Sequence, residues 1–155
     1  MFEKLTNVLM PEFETAEAHC DAPCGVYDPS QARVEAESVL QLTKKILDLK
    51  LPDGGDAKAS AAYQNTLTRF ITIKEDRAEL AKHHLLVLWT DYFKPDHLAK
   101  FPDLHETFWK AAKLCSACKQ EVSLEHAQEL MDAVKKIHGM FWESKGKDVP
   151  WFTAS

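Results

Sequence analysis

The chain has little glycine, only five residues in 155, and its β-branched residues do not cluster into alternating runs. Sheet-rich folds draw on both, so helix is favoured throughout, in keeping with the abundant Ala, Leu, Lys and Glu. It also lacks a basic excess: 19 Lys and Arg stand against 24 Asp and Glu, a formal net charge of −5. A duplex nucleic-acid binder would normally carry a basic patch that releases phosphate counterions, and no such patch is present. No apolar run approaches the roughly 18 to 20 residues needed to cross a bilayer, which argues against a membrane partner. Internal repeats and low-complexity tracts are missing as well. With 45% apolar residues, a chain of this length supports one domain with one core.

The first 18 residues lack the build of an export signal, although Ala16-Glu17-Ala18 matches the small-x-small pattern of a signal-peptidase site. Such a signal wants a basic start and an apolar stretch of about 7 to 15 residues. Here Leu5 to Met10 is short, is interrupted by Thr6 and Asn7, and is followed by Pro11, Glu12, Glu14 and Glu17. Residues 1–18 read as a removable pro-segment, leaving a domain over 19–155.

Beyond the leader, Asp28-Pro29-Ser30-Gln31 reads as a helix start, with Asp28 as N-cap and Pro29 in the first turn. Val39, Leu42, Ile46 and Leu49 give the first helix its buried stripe, ending at Leu51-Pro52-Asp53-Gly54-Gly55. Asp56 caps a second helical region of about 35 residues that runs toward Phe93 and stops at Lys94-Pro95, with room for a kink. Pro102-Asp103 introduces a third helix and Ser123 caps a fourth. Four amphipathic helices with short connections predict an all-α fold, an antiparallel four-helix bundle over about 29–144. The tail from Lys145 to Ser155 is expected to fray apart from Trp151 and Phe152.

The segment His19-Cys20-Asp21-Ala22-Pro23-Cys24-Gly25-Val26-Tyr27 packs two thiols and an imidazole into six residues, with Pro23 and Gly25 shaping a turn. Cys-x3-Cys lets two sulfurs converge on one ion when the chain loops back. Thiolate with imidazole selects Zn, Cu, Ni or Fe over Mg and Ca. Spacing alone leaves three readings open: a metal site, a disulfide, or an inert pair of cysteines.

The run HCDAPCGVYDP resembles the metal hook of nickel-containing superoxide dismutases, whose pattern is His-Cys-x-x-Pro-Cys-Gly-x-Tyr at the mature N-terminus. The similarity continues through Gln31 to Val39, Ile73 to His84, Leu88 to Pro95 and Phe141-Trp142-Glu143. That resemblance implies a four-helix bundle with an N-terminal metal-binding hook over 19–27, assembled as a homohexamer. It implies one nickel ion per chain, held by the α-amine and imidazole of His19, the backbone nitrogen of Cys20 and the thiolates of Cys20 and Cys24. The α-amine exists only once a maturation protease has cut before His19. Two thiolates and a deprotonated amide would bring the Ni(III)/Ni(II) couple within reach of both half-reactions of superoxide, giving oxygen and hydrogen peroxide. Tyr27 and Tyr92 would border the substrate position, ordering water and limiting access. Glu35 and Arg77 would hold the His19 ring, and the backbone amides of Asp21 and Cys24 would orient small anions or waters.

Read singly, these residues have plainer explanations. Glu35 and Arg77 are charges on helices, and Tyr27 and Tyr92 are packing residues with satisfied hydroxyls. His83-His84 is a poor metal pair, because adjacent helical residues point about 100° apart. Cys115 and Cys118 share a helix face with Leu104, Phe108 and Ala111, which favours small buried residues over a reactive pair. Two other functions compete: a non-enzymatic zinc-stabilised or metal-binding helical protein, in its sharper form with Cys20, Cys24, Cys115 and Cys118 closing one zinc site, and a thiol redox module, which the Cys-x3-Cys spacing disfavours. Free thiolates persist best in a reducing compartment, so a cytoplasmic location is expected.

Overall fold

A computed structural model describes residues 25–155. Four helices follow in order, α1 (Ser30–Leu47), α2 (Ala57–Val87), α3 (Leu104–Gln120) and α4 (Leu124–Ser144), and there is no strand among the described residues. The expected caps hold at two of the starts: Asp56 accepts from the backbone N–H of Ala59 at 3.0 Å, and Ser123 from that of His126 at 3.1 Å. The start of α1 differs. Pro29 itself occupies the N-cap position, its ring holding φ at −74°, while the Asp28 carboxylate accepts from the N–H and hydroxyl of Ser30 at 2.7 and 2.5 Å.

The second helix does not simply stop. From Leu88 to Tyr92 it widens into a π-helical turn, closed by the N–H of Phe93 donating to the carbonyl of Leu88 at 3.1 Å. Phe93 then turns to extended backbone, and Lys94 follows it there because the residue immediately before a proline is kept out of the helical region; a short 3₁₀ turn over Pro95–Ala99 leads toward α3.

The helices close a ring in which α1 and α3 each pack on both α2 and α4. Glu79 meets Lys119 at 2.6 Å while Lys82 reaches Ser116 at 3.5 Å, so α2 and α3 run in opposite directions. The interior is filled by Val39, Leu85, Leu104, Phe108, Val134 and Phe141, all essentially inaccessible to water. On α2 the buried stripe is Lys74, Ala78, Ala81 and Leu85. A lysine in such a stripe must find acceptors. The Lys74 ammonium donates to the carbonyls of Cys118 and Glu121, the latter at 2.9 Å. These belong to the end of α3, where carbonyls lack partners within the helix. Burial pulls the Lys74 pKa below its usual value, opposed by Cys118 and Glu75.

The tail is fastened, contrary to the expectation of fraying. Glu37, buried on α1, accepts at 2.7 Å from each of three donors, the N–H groups of Ala154 and Ser155 and the Ser155 hydroxyl. Its other oxygen is 2.8 Å from Arg33. Burial alone would raise the Glu37 pKa, but the hydrogen bonds from Ser155 and Ala154, with the Arg33 charge, hold it below the usual carboxylate value. Upstream, Val149 offers its carbonyl to His138 at 2.9 Å, and the Trp151 ring meets that histidine edge-on at 5.3 Å.

Cys115 and Cys118 are free and buried in α3. Burial pushes their thiols up from the usual 9.0, to about 12 for Cys115 and about 11 for Cys118. In the unfolded chain both ionise near the usual value. The stability they contribute is therefore complete below pH 9.0 and is lost as pH rises through the folded values. Replacing both (Cys115→Ala with Cys118→Ala) is expected to flatten the fall of Tm between about pH 8 and pH 10.5 relative to the parent chain, as scanning calorimetry would measure.

Candidate functional site

The described chain begins at Gly25, whose φ of +84° lies in the left-handed region that glycine enters without a Cβ penalty. Val26, Tyr27 and Asp28 then run alongside the end of α2, enclosing a cavity of about 30 Å³ with Gln31, His84 and Val87. Burial lowers the His84 pKa, the adjacent His83 lowers it further, and Glu35 opposes them.

Tyr27 meets Tyr92 with ring centroids 5.6 Å apart and planes inclined by 56°. The π-helical turn carries Tyr92 into this contact. The phenol ring also packs on Phe141 at 4.5 Å and Phe93 at 4.9 Å, and stacks on His97 at 5.7 Å. Beside the two tyrosines opens a cavity of about 470 Å³, lined also by Gly25, Asp91, Lys94, His97 and Lys145. Lys145 lies over the Tyr92 ring at 5.4 Å and the Phe141 ring at 4.8 Å. With two lysines against one aspartate, the lining favours a small anion.

On the neighbouring flank Arg77 donates to both Glu35 oxygens, at 3.2 and 3.4 Å, pairing α2 with α1 across 42 positions of sequence. The carboxylate side chain is largely covered, 13% exposed, whereas the guanidinium is 39% exposed. Glu35, Arg77, Tyr27 and Tyr92 thus all belong to described parts of the bundle. His19, Cys20, Asp21, Pro23 and Cys24 lie outside the described residues.

Among the described residues no group of three or more His, Cys, Asp or Glu side chains is placed to hold a metal ion. The donor set at 19–24 is of a different kind, two thiols and one imidazole, and its softness suits nickel. It joins the bundle at Gly25, directly before a tyrosine-lined cavity. Cys115 and Cys118, the other half of a four-cysteine zinc site, are buried within the bundle with their thiols held protonated by that burial, the opposite of the thiolate a zinc ligand needs. Sequence reasoning passed over Lys94, His97, Ser144 and Lys145. The signal for Lys94 and His97 was their closeness to Tyr92 in sequence; for Lys145, and for Ser144, whose hydroxyl oxygen lies 2.6 Å from the Tyr92 phenol oxygen, there was none, because 52 residues separate Tyr92 from Ser144.

A family model described as nickel-containing superoxide dismutase matches residues 14–145. The superoxide dismutase [Ni] of Streptomyces coelicolor is 47% identical over 141 residues, covering 91% of this chain and 98% of that protein. Its counterpart in Streptomyces seoulensis is 43% identical over 141 residues with the same coverage, 91% and 98%. A solved native structure of nickel superoxide dismutase superposes with a TM-score of 0.70 at 44% identity, over 83% of this chain and 99% of that one.

The exposure of Arg77 limits what its ion pair adds to stability. A double-mutant cycle of Glu35→Gln and Arg77→Gln in urea unfolding is expected to give a coupling of about 0.5 kcal/mol, and no more than about 1 kcal/mol.

Proposed function

The chain belongs to the nickel-containing superoxide dismutase family, and from that premise we propose how its own residues serve the reaction. Nickel-dependent dismutation turns two superoxide ions and two protons into oxygen and hydrogen peroxide. The residues that would hold the ion are His19, through its α-amine and imidazole, Cys20, through its backbone nitrogen and thiolate, and Cys24, through its thiolate. When bound, nickel supplies a one-electron couple that these strong donors bring into the range of both half-reactions.

The remaining work falls to the described residues. Tyr27 and Tyr92 border the place where superoxide arrives, admitting a diatomic anion and water and turning away larger anions. The observation that carries this reading is their 5.6 Å contact at the wall of a cavity, three residues after Cys24. Lys94 and Lys145 draw the anion to the same cavity. Glu35, steadied by Arg77, would hold the His19 ring by accepting from the imidazole N–H that the metal does not use. Pro23 and Gly25 would shape a turn bringing the two sulfurs together, and the amides of Asp21 and Cys24 would orient small anions or waters.

Residues 1–18 are a pro-segment whose removal by a protease frees the His19 amine. The mature chains assemble as hexamers, a reading supported by Leu47, Leu51 and Trp109, exposed by 55%, 79% and 54% on a single chain. The enzyme works in the cytoplasm, where free thiolates persist; no helix among the described residues is long and apolar enough to cross a membrane.

The test is superoxide decay followed by fast kinetics. A chain beginning at His19 and loaded with Ni(II) is expected to be active. The same chain loaded with Zn(II), and the uncut chain given Ni(II), are expected to be inactive. Activity in the uncut chain would refute the need for the His19 amine. Inactivity of all three, with folded helices and bound metal, would refute the assignment of these residues.

A further inference from the structure

The last residue of α4, Ser144, places its hydroxyl between two oxygens. It donates to the carbonyl of Phe141 at 2.6 Å, and the phenol oxygen of Tyr92 lies 2.6 Å from the same Oγ. A serine hydroxyl has one proton and two lone pairs, and a carbonyl oxygen can only accept. The Ser144 proton is therefore committed to Phe141, and the proton in the second bond comes from Tyr92. The chain of bonds has one direction, from the Tyr92 O–H to Ser144 Oγ and from the Ser144 O–H to the Phe141 carbonyl. Both distances are at the short end for O–H···O bonds.

The Tyr92 ring has little freedom besides its hydroxyl rotor. It lies against Phe141, stacks on His97, and carries the Lys145 ammonium 5.4 Å from its centroid. Packing fixes the plane of the ring, and Ser144 fixes where the O–H points, into the end of α4. The phenol then offers the remaining lone pair of its oxygen as an acceptor. A water bound there would have to donate one proton to Tyr92, leaving its other proton and its lone pairs for neighbours in the cavity.

We infer that Ser144 is a positioning residue of the dismutase reaction, setting Tyr92 as a hydrogen-bond acceptor toward the substrate side. This rests on the reading of Tyr92 as a border of the substrate position. It bears on a definite need, because reduction of one superoxide to hydrogen peroxide consumes two protons. With the phenol proton committed to Ser144, the direction of an ordered water follows from a residue that itself does not touch substrate.

The test combines a spectroscopic and a kinetic reading on Ser144→Ala, Ser144→Thr, Tyr92→Phe and the double variant Ser144→Ala/Tyr92→Phe. The Raman doublet of tyrosine distinguishes a phenol that donates from one that accepts, and subtracting the Tyr92→Phe spectrum isolates Tyr92 from the other two tyrosines. In metal-free protein the parent is expected to show a donating phenol, Ser144→Thr to keep it, and Ser144→Ala to lose it. In the nickel-loaded enzyme Ser144→Ala is expected to lower superoxide turnover about three- to tenfold, Ser144→Thr to recover most of the loss, and Ser144→Ala to add nothing once Tyr92 is Phe. An unchanged doublet in Ser144→Ala, or equal losses from Ser144→Ala with and without the Tyr92 hydroxyl, overturns the inference alone. Full turnover in Tyr92→Phe overturns it together with the reading on which it rests.

Discussion

Two cations within one turn of α2 set the register of the bundle. Lys74, fully buried, binds the carbonyls that end α3, and Arg77 binds Glu35 on α1. A slide of α2 by one residue would leave an ammonium buried without acceptors and orphan the carbonyls it serves, costs of a few kcal/mol that apolar packing would not return. Positions further along α2 inherit that register. His84 under the Val26–Asp28 segment, and Tyr92 at the end of the π-helical turn, are placed by the same helix that Lys74 fixes.

The proposed site divides its tasks accordingly. Groups that must be exact in direction sit on helices or at their ends: Glu35 on α1, Arg77 on α2, Ser144 at the end of α4. The π-helical turn then supplies what regular helix would not. It puts one more residue into the last turn of the α2 run, and Tyr92 arrives among Tyr27, Phe141 and His97. The donor residues 19–24 thus adjoin, in sequence, a framework whose side chains are already set by packing.

The helical bundle was legible because its signals are local. Asp56 and Ser123 cap the backbone within three residues of themselves, and the stripe of Ala127, Leu130, Val134 and Ile137 recurs at the helical period. What escaped depended on distant partners. The fastened tail depends on a glutamate more than a hundred positions away. Lys74 could have been noticed, since it occupies the same stripe as Ala78, Ala81 and Leu85 and no exposed lysine belongs there. The pairing of Glu35 with Arg77, and of Tyr27 with Tyr92, was legible only through the family resemblance; charge and aromaticity alone do not say which partners meet.

The buried thiols of α3 have a bearing on how such an enzyme wears out. Hydrogen peroxide is a product of nickel-dependent dismutation, and oxidation of a cysteine to sulfenic acid proceeds through the thiolate. Held neutral and shut away from water, these two sulfurs are spared by the enzyme's own product. Oxidative ageing is thereby kept from these two positions of the scaffold and falls first on more accessible chemistry.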